Sequence, residues 1–335
     1  MSRSMLDENL SILIRESLDD TGNAQCVSAS PDIIVRKTKF KEDDLAKIFL
    51  ETYSQDISLE SDDSGKMYLY VRFKNTSDEP LTNFYIHLYR NHLGLSNIPS
   101  DWSRYEMKTE AGTPAFIECL GAQKIGATPA FVYDKSSLGC YPNCFVAVAT
   151  REKNPDYSSI NDYTKYIQWV NKKNVAARNI CVIPVRSGIH TQIVTADNPD
   201  TTRERRMLIL VSIEENTPSG INYGIRQTAF GIEETRTYIK NDSATGSIAC
   251  VFHMKSGGHS EFEIWFEAGR RDSSYVKYKT EFFILDEGDS DSILNQYLVD
   301  LHIGLAIPNG TENTSLISDC GHLLGCCYFR GSECR

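Results

Sequence analysis

Residues 70–90 read YVRFKNTSDEPLTNFYIHLYR, and residues 166–186 read YIQWVNKKNVAARNICVIPVR. In each stretch an alternating apolar and polar run closes on an asparagine, Asn75 or Asn171. Seven small or polar residues follow, then a second asparagine, Asn83 or Asn179, and then another alternating run. Both pairs of asparagines stand 96 residues apart. That spacing is close to the roughly 100 residues of one immunoglobulin-like sandwich. Asparagine side chains bond nearby backbone and tolerate turn geometry, so all four are read as structural turns.

Period-two alternation extends outward from these stretches along most of the chain. Met67, Leu69, Val71 and Phe73 form one apolar row. Phe84, Ile86 and Leu88 form another, and so do Cys144, Val146 and Val148. The pattern recurs at Met207, Ile209, Val211 and Ile213, at Ile248, Cys250, Phe252 and Met254, and at Phe262, Ile264 and Phe266. Short alternating runs separated by Gly, Pro, Asn and Asp indicate antiparallel sheets with one solvated face. Helical spacing is confined to Asp43–Tyr53 and Asp289–Leu301, which both open on acidic residues. The expected fold is all-β, with two tandem immunoglobulin-like antiparallel β-sandwiches and a short, partly helical C-terminal extension. The expected domains are 1–155, 156–287 and 288–335, with the first break near Asn154–Asn161, where Pro155 and polar residues interrupt the strands.

The length of 335 residues exceeds what one hydrophobic core usually serves, in keeping with two domains. A net charge of −10, with no long basic stretch, argues against nucleic acid as the partner. No apolar run approaches the roughly 20 residues that span a bilayer. The opening MSRSMLDENL lacks the apolar stretch of a secretory signal, which predicts cytoplasmic synthesis.

Signals of chemistry are sparse. There is no G-x-S-x-G elbow, and Gly257-Gly258-His259-Ser260 reads as a hairpin turn between strands. The seven histidines include no H-E-x-x-H pair, and His87 and His253 fall on outward rows, where they are expected to be solvated. No phosphate loop or dinucleotide fingerprint occurs. The chain is therefore read as non-enzymatic and without a cofactor. Calcium and zinc stand as alternatives. Asp19-Asp20, Glu60-Ser61-Asp62-Asp63 and Asp286–Asp291 offer oxygen ligands, without the distal glutamate of an EF-hand loop. Cys320, His322, Cys326, Cys327 and Cys334 offer soft ligands, at spacings unlike the usual C-x2–4-C pairs. The same cysteines could instead join neighbouring subunits.

Tyr68, Tyr70, Tyr85 and Tyr89 form the row assigned outward on two neighbouring strands. Tyrosine combines apolar area with a polar tip and is enriched at interfaces, which marks this row as the candidate partner surface. A face covered by a loop or by the other domain is the structural alternative.

The strand–Asn–loop–Asn–strand unit, closest at Asn174-Val175-Ala176-Ala177-Arg178-Asn179, is similar to the cell-adhesion-related (CARDB-like) immunoglobulin-fold domains of bacteria. Ile12–Gly22, Ser30-Pro31-Asp32-Ile33 and Phe145–Thr150 resemble the surroundings of such domains, and the resemblance covers residues 10–285. It implies a bacterial or bacteriophage-like source. It further implies a structural, adhesion or assembly role through protein contact or self-association, as an accessory part of a secretion or injection particle or as an exported protein. A secreted effector or toxin-associated carbohydrate-binding module is the second reading. Sandwiches of this kind carry many unrelated activities, so the resemblance bears on the fold more than on the function.

Overall fold

In the computed structural model the described residues are 10–22, 30–58, 66–91, 105–134, 143–160, 163–184, 188–198, 200–213, 219–240, 246–268, 277–285 and 321–332. The chain divides into two compact units. Residues 1–92 and 97–180 make the first, and residues 93–96 and 181–335 make the second. The break expected near Asn154–Asn161 falls inside unit 1, because the segment after it returns to pair with the strand before it.

Unit 1 contains β1 (Ile12–Leu13), β2 (Ile33–Arg36), α1 (Leu45–Glu51), β3 (Lys66–Asn75), β4 (Leu81–Asn91), β5 (Ala115–Leu120), β6 (Ile125–Ala127), β7 (Phe131–Asp134), β8 (Asn143–Thr150), α2 (Tyr163–Val170) and the start of β9 (Val175–Pro184). β3 pairs with β1 and β2 along one side and with β6 and β7 along the other. The opposing sheet runs β5-β4-β8-β9. The alternation of β3 and β4 explains this arrangement. Met67, Leu69, Val71 and Phe73 from one sheet meet Phe84, Ile86 and Leu88 from the other in a single buried cluster. In β8 the inward row is Phe145, Ala147 and Ala149, not Cys144, Val146 and Val148. Both rows are buried, so alternation alone could not say which one faced the core.

Unit 2 contains β10 (Gly188–Asp197), β11 (Arg205–Ile213), β12 (Ile221–Gln227), β13 (Ile232–Tyr238), β14 (Ser247–Met254), β15 (His259–Ala268), β16 (Lys277–Leu285) and β17 (Gly321–Ser332). One sheet runs β10-β15-β12-β13, and the other runs β14-β11-β16-β17 with the end of β9, from Cys181, added in parallel to β17. Phe262 of the first sheet packs 4.8 Å from Phe252 and 5.7 Å from Phe282 of the second, measured between ring centroids. The fold is thus all-β, built from antiparallel immunoglobulin-like sandwiches. The helix expected over Asp43–Tyr53 is present as α1 with a short 3-10 turn before it. The one expected over Asp289–Leu301 lies outside the described residues.

Residues 166–186 do not repeat residues 70–90, although Asn75 has a structural counterpart elsewhere. Tyr166–Val170 lies in α2, not in a strand. Tyr166, Trp169 and Val170 also satisfy helical i, i+3, i+4 spacing, and so short an apolar run fits either period. The counterpart of Asn75 is Asn198. Asn75 ends β3, and its buried amide donates to the carbonyls of Glu79 (2.8 Å), Leu120 (3.3 Å) and Gly121 (3.1 Å) and accepts from Ser77 N (2.9 Å). Asn198 follows β10, and its amide donates to the carbonyls of Arg203 (2.8 Å), Met254 (3.1 Å) and Lys255 (3.0 Å) and accepts from Asp200 N (3.0 Å). Each backbone N–H also reaches the facing hairpin, at Lys124 O and Gly258 O respectively. The wiring around the two corners matches. The strand before each corner pairs with the strand after that hairpin, and the strand after each corner pairs with the unit's later β8 or β16.

Next to the second corner, His259 Nδ1 bonds the Asp197 carboxylate. That bond raises the imidazole pKa, against partial burial that lowers it, and the Asp197 and Glu261 charges add to the rise. A folded pKa above the unfolded value means that the protonated form stabilises the fold. The contribution is complete below about pH 6.5 and is lost as the pH climbs through the folded value. A nuclear magnetic resonance titration should place His259 above the free-imidazole value, and His259→Gln should remove this slope from unit 2 stability.

Candidate functional site

The tyrosine row expected to face a partner is divided between two sheets and largely covered. β3 and β4 belong to opposing sheets, so Tyr68 and Tyr70 do not share a face with Tyr85 and Tyr89. Tyr70 is fully buried under Phe40 and Phe49, which lie 5.3 and 5.7 Å from its ring, and its hydroxyl accepts from Phe40 N at 2.8 Å. Tyr89 is buried by Tyr157, whose hydroxyl it meets at 2.9 Å, and Trp169 of α2 packs in turn against Tyr157. Burial pushes the Tyr89 phenol far above its ordinary pKa, and the bond from Tyr157 only partly offsets that rise. Tyr68 and Tyr85 are half-buried. The apolar helix face and the aromatic 157–170 segment that cover this row are not contiguous with it in sequence, which is why the alternation read as solvated.

His87 is also buried rather than solvated. It stacks on Tyr89, with Nδ1 at 2.5 Å from Glu106 Oε1 and Nε2 at 3.0 Å from Glu152 O. Burial pulls the Glu106 carboxyl upward, but hydrogen bonds from His87 and Lys108 outweigh it and hold the group below the usual glutamate range. Among the other expected residues, Asn75 forms the turn described above. Asn83 sits inside β4 with φ of 53°, Asn171 is in the turn after α2, and Asn179 lies in β9 opposite Cys144. Asn174, buried and donating to Ala149 O at 2.7 Å, closes that turn instead. Of the terminal ligands, His322, Cys326 and Cys327 occupy register positions of β17 opposite Ile284, Glu281 and Thr280. Cys320 and Cys334 lie outside the described residues. Among the described residues no group of three or more His, Cys, Asp or Glu could hold a metal. Asp20 accepts from Glu16 N and Gly22 N and so shapes a turn. Residues 60–63 and 286–291 lie outside the described set. No helix among the described residues is long and apolar enough to cross a membrane.

A different surface unites an aromatic with polar groups. β15 turns Phe262, Ile264 and Phe266 into the core, and therefore turns Glu261, Glu263, Trp265 and Glu267 outward. Register places Trp265 between Gly224 of β12 and Thr191 of β10, with Thr235 of β13 beyond Gly224. The indole occupies the space above Gly224. A Cβ there would come within 2.7 Å of both Cε2 and Nε1, and would also meet the Glu234 carbonyl. On one side of the ring Asn222 donates from Nδ2 to Glu267 Oε2 at 3.2 Å and accepts at Oδ1 from the Thr237 hydroxyl at 2.6 Å. On the other, Arg226 bridges Glu263 (3.1 Å) and Glu233 (3.4 Å). Ile189, 68% exposed, stands beside Glu267. Sequence reasoning missed Trp265, although the alternation of Phe262, Ile264 and Phe266 held the signal for an outward residue between them. What it lacked was the cross-strand register that leaves a glycine beneath the ring.

Gly224→Ala should cost unit 2 about 1–3 kcal/mol, as overpacking does. It should also shift the indole emission, because the ring must move. Thermal unfolding and fluorescence check both, and an unchanged emission maximum would show that the ring does not rest there.

No family model and no curated protein matches the chain. Among solved structures it is similar to the collagen adhesin from S. aureus, at 9% identity and a TM-score of 0.18, covering 68% of this chain and 84% of that one. It is similar to the CupB6 tip adhesin from Pseudomonas aeruginosa at 7% identity and 0.22, covering 80% and 89%. Red sea bream transglutaminase gives 9% identity and 0.19, covering 66% of this chain and 27% of that enzyme. Likeness at this level carries no argument about what the chain does.

Proposed function

We propose that the protein is a non-enzymatic contact protein of adhesion type, which binds its partner through the outer face of the β10-β15-β12-β13 sheet. The observation that supports this is Trp265, held over Gly224 among bonded polar side chains on the outer face of the sheet. An aromatic-centred face with a polar rim is how contact surfaces are built, with the aromatic supplying most of the energy. Placement in a bacterial secretion or injection particle, or export by a dedicated system after cytoplasmic synthesis, is the finer form of this reading. It rests on the family resemblance. The test is attachment of fluorophore-labelled full-length chain to intact bacterial and animal cells. Saturable binding that Trp265→Ala reduces about tenfold or more, an effect of hot-spot size, supports the reading. Binding indifferent to Trp265, or no binding, removes it.

A further inference from the structure

We infer that the Trp265 face is a carbohydrate platform whose ligand is a neutral oligosaccharide chain. The inference rests on the contact reading above and names the ligand class for the same face. It begins with the ring. One side of the indole covers Gly224, where the absence of a side chain lets the ring lie close to the backbone. Trp265 is nevertheless partly exposed, and among the described residues its N–H has no acceptor. The face of an indole is electron-rich, and the row of axial C–H groups on one side of a pyranose is its natural complement.

The surrounding charges narrow the ligand. Glu261, Glu263, Glu267 and Glu233 oppose a polyanion, such as a nucleic acid or a sulfated glycan. Arg226, tied to two of those glutamates beside the ring, opposes a cationic head group stacked there. Arg226 is paired with Glu233 and Glu263, Asn222 bonds Glu267, and a ligand that is uncharged and rich in hydroxyls is opposed by none of these charges. The paired groups are planar: a carboxamide with a carboxylate at one end, and a guanidinium with carboxylates at the other. Such groups can both donate to and accept from adjacent hydroxyls of a sugar. The polar side chains two positions from Trp265 along β15 lie about 7 Å to either side of it, the span of neighbouring sugar rings. The exposed face, with Thr191, Thr235 and Glu267 at the surface, leaves room for an extended chain rather than for a single enclosed monosaccharide.

Two measurements test the inference. Full-length protein is titrated calorimetrically with cellohexaose, maltohexaose and mannohexaose, and with a sulfated heparin hexasaccharide as the polyanion. At least one neutral hexamer should bind and quench indole fluorescence, and Trp265→Ala should weaken that binding about tenfold or more. Thr235→Lys, which crowds the ring from an exposed position, should weaken it while leaving the circular dichroism unchanged, so that a folding defect in the first variant does not blur the outcome. Binding of none of the three neutral hexamers, binding indifferent to both variants, or preference for the heparin fragment overturns the inference. The second measurement repeats the cell attachment after periodate, which cleaves vicinal diols, and after protease. Loss on periodate supports the inference. Loss on protease with survival of periodate overturns it and leaves the contact reading standing.

Discussion

Asp32→Ala is expected to cost unit 1 about 3–5 kcal/mol, the range for breaking a buried ion pair by removing one partner. Asp32 has no exposed surface and holds two buried guanidinium groups. Arg15 reaches it through Nε (3.0 Å), Nη2 (2.8 Å) and its backbone N–H (2.9 Å), and Arg72 reaches it through Nε at 2.7 Å. One carboxylate cannot neutralise two cations. Carbonyl oxygens complete the shell, with Arg72 donating to Thr52, Pro31 and Gln55 and Arg15 donating to Leu18 and Tyr53. The face of Tyr53 adds to this, lying 3.6 Å from the Arg15 guanidinium carbon. Without the carboxylate both cations remain in a site that water does not reach. At about 2–4 °C per kcal/mol for a unit of this size, the unfolding midpoint should fall by roughly 10 °C. Replacing Arg15 and Arg72 by methionine and Asp32 by leucine together should recover most of that loss, since an apolar substitute for a buried ionic group is often neutral. A single variant that unfolds within about 2 °C of the parent, less than one kcal/mol would shift it, would show that the cluster is not electrostatically committed.

Asn198→Asp should be nearly as severe, at about 4 kcal/mol near neutral pH, because it changes a donor into an acceptor where nothing can donate to it. The amide nitrogen faces three carbonyl oxygens within 3.1 Å in a site without exposed surface. The oxygen that replaces this nitrogen meets only like partial charges. The deficit should shrink as the pH falls and the new carboxyl gains a proton, so chemical unfolding at pH 7 and at pH 4 distinguishes this cause from a packing defect. Asn75→Asp should behave alike in unit 1, since its amide meets Glu79, Leu120 and Gly121 in the same manner. Different responses of the two variants would dissolve the equivalence of the corners.

The sandwich architecture was legible because long strands such as β3, β4 and β15 each keep one apolar row over most of their length. Which row faced the core was readable only where the other row was polar. In β8 both rows are apolar and buried, so nothing local to the strand separates them. Tyr70 and Tyr89 failed for a related reason. Their cover comes from α1 with Phe40 and from the segment carrying Tyr157 and Trp169. Aromatic residues that bury one another across the fold leave no periodic trace. The Asn motif found one corner, at Asn75, and missed the other, at Asn198, because the decisive partners of each amide are carbonyls of a hairpin distant in sequence, as the Asn198 bonds to Met254 and Lys255 illustrate. Trp265 went unread although its neighbours Ile264 and Phe266 imply an outward side chain, and only the register with Gly224 shows what lies beneath the ring.

The outer edge of β9 shows how the chain's early residues serve the later ones. Ala177 directs its N–H and C=O away from β8. The Glu16 carboxylate accepts the first at 2.9 Å, and Ser30 N donates to the second at 3.0 Å. Arg178 fastens the same stretch by donating to Ser30 O at 2.8 Å. At Ala177 a side-chain oxygen and a single amide thus stand where a further strand would hydrogen-bond, and only beyond it do Cys181–Pro184 of β9 pair in parallel with β17. Such a stopper occupies the very groups through which sheets of separate molecules fuse. Without Glu16 and Ser30 the backbone of Ala177 would stand bare, so these two early residues shield that stretch of β9.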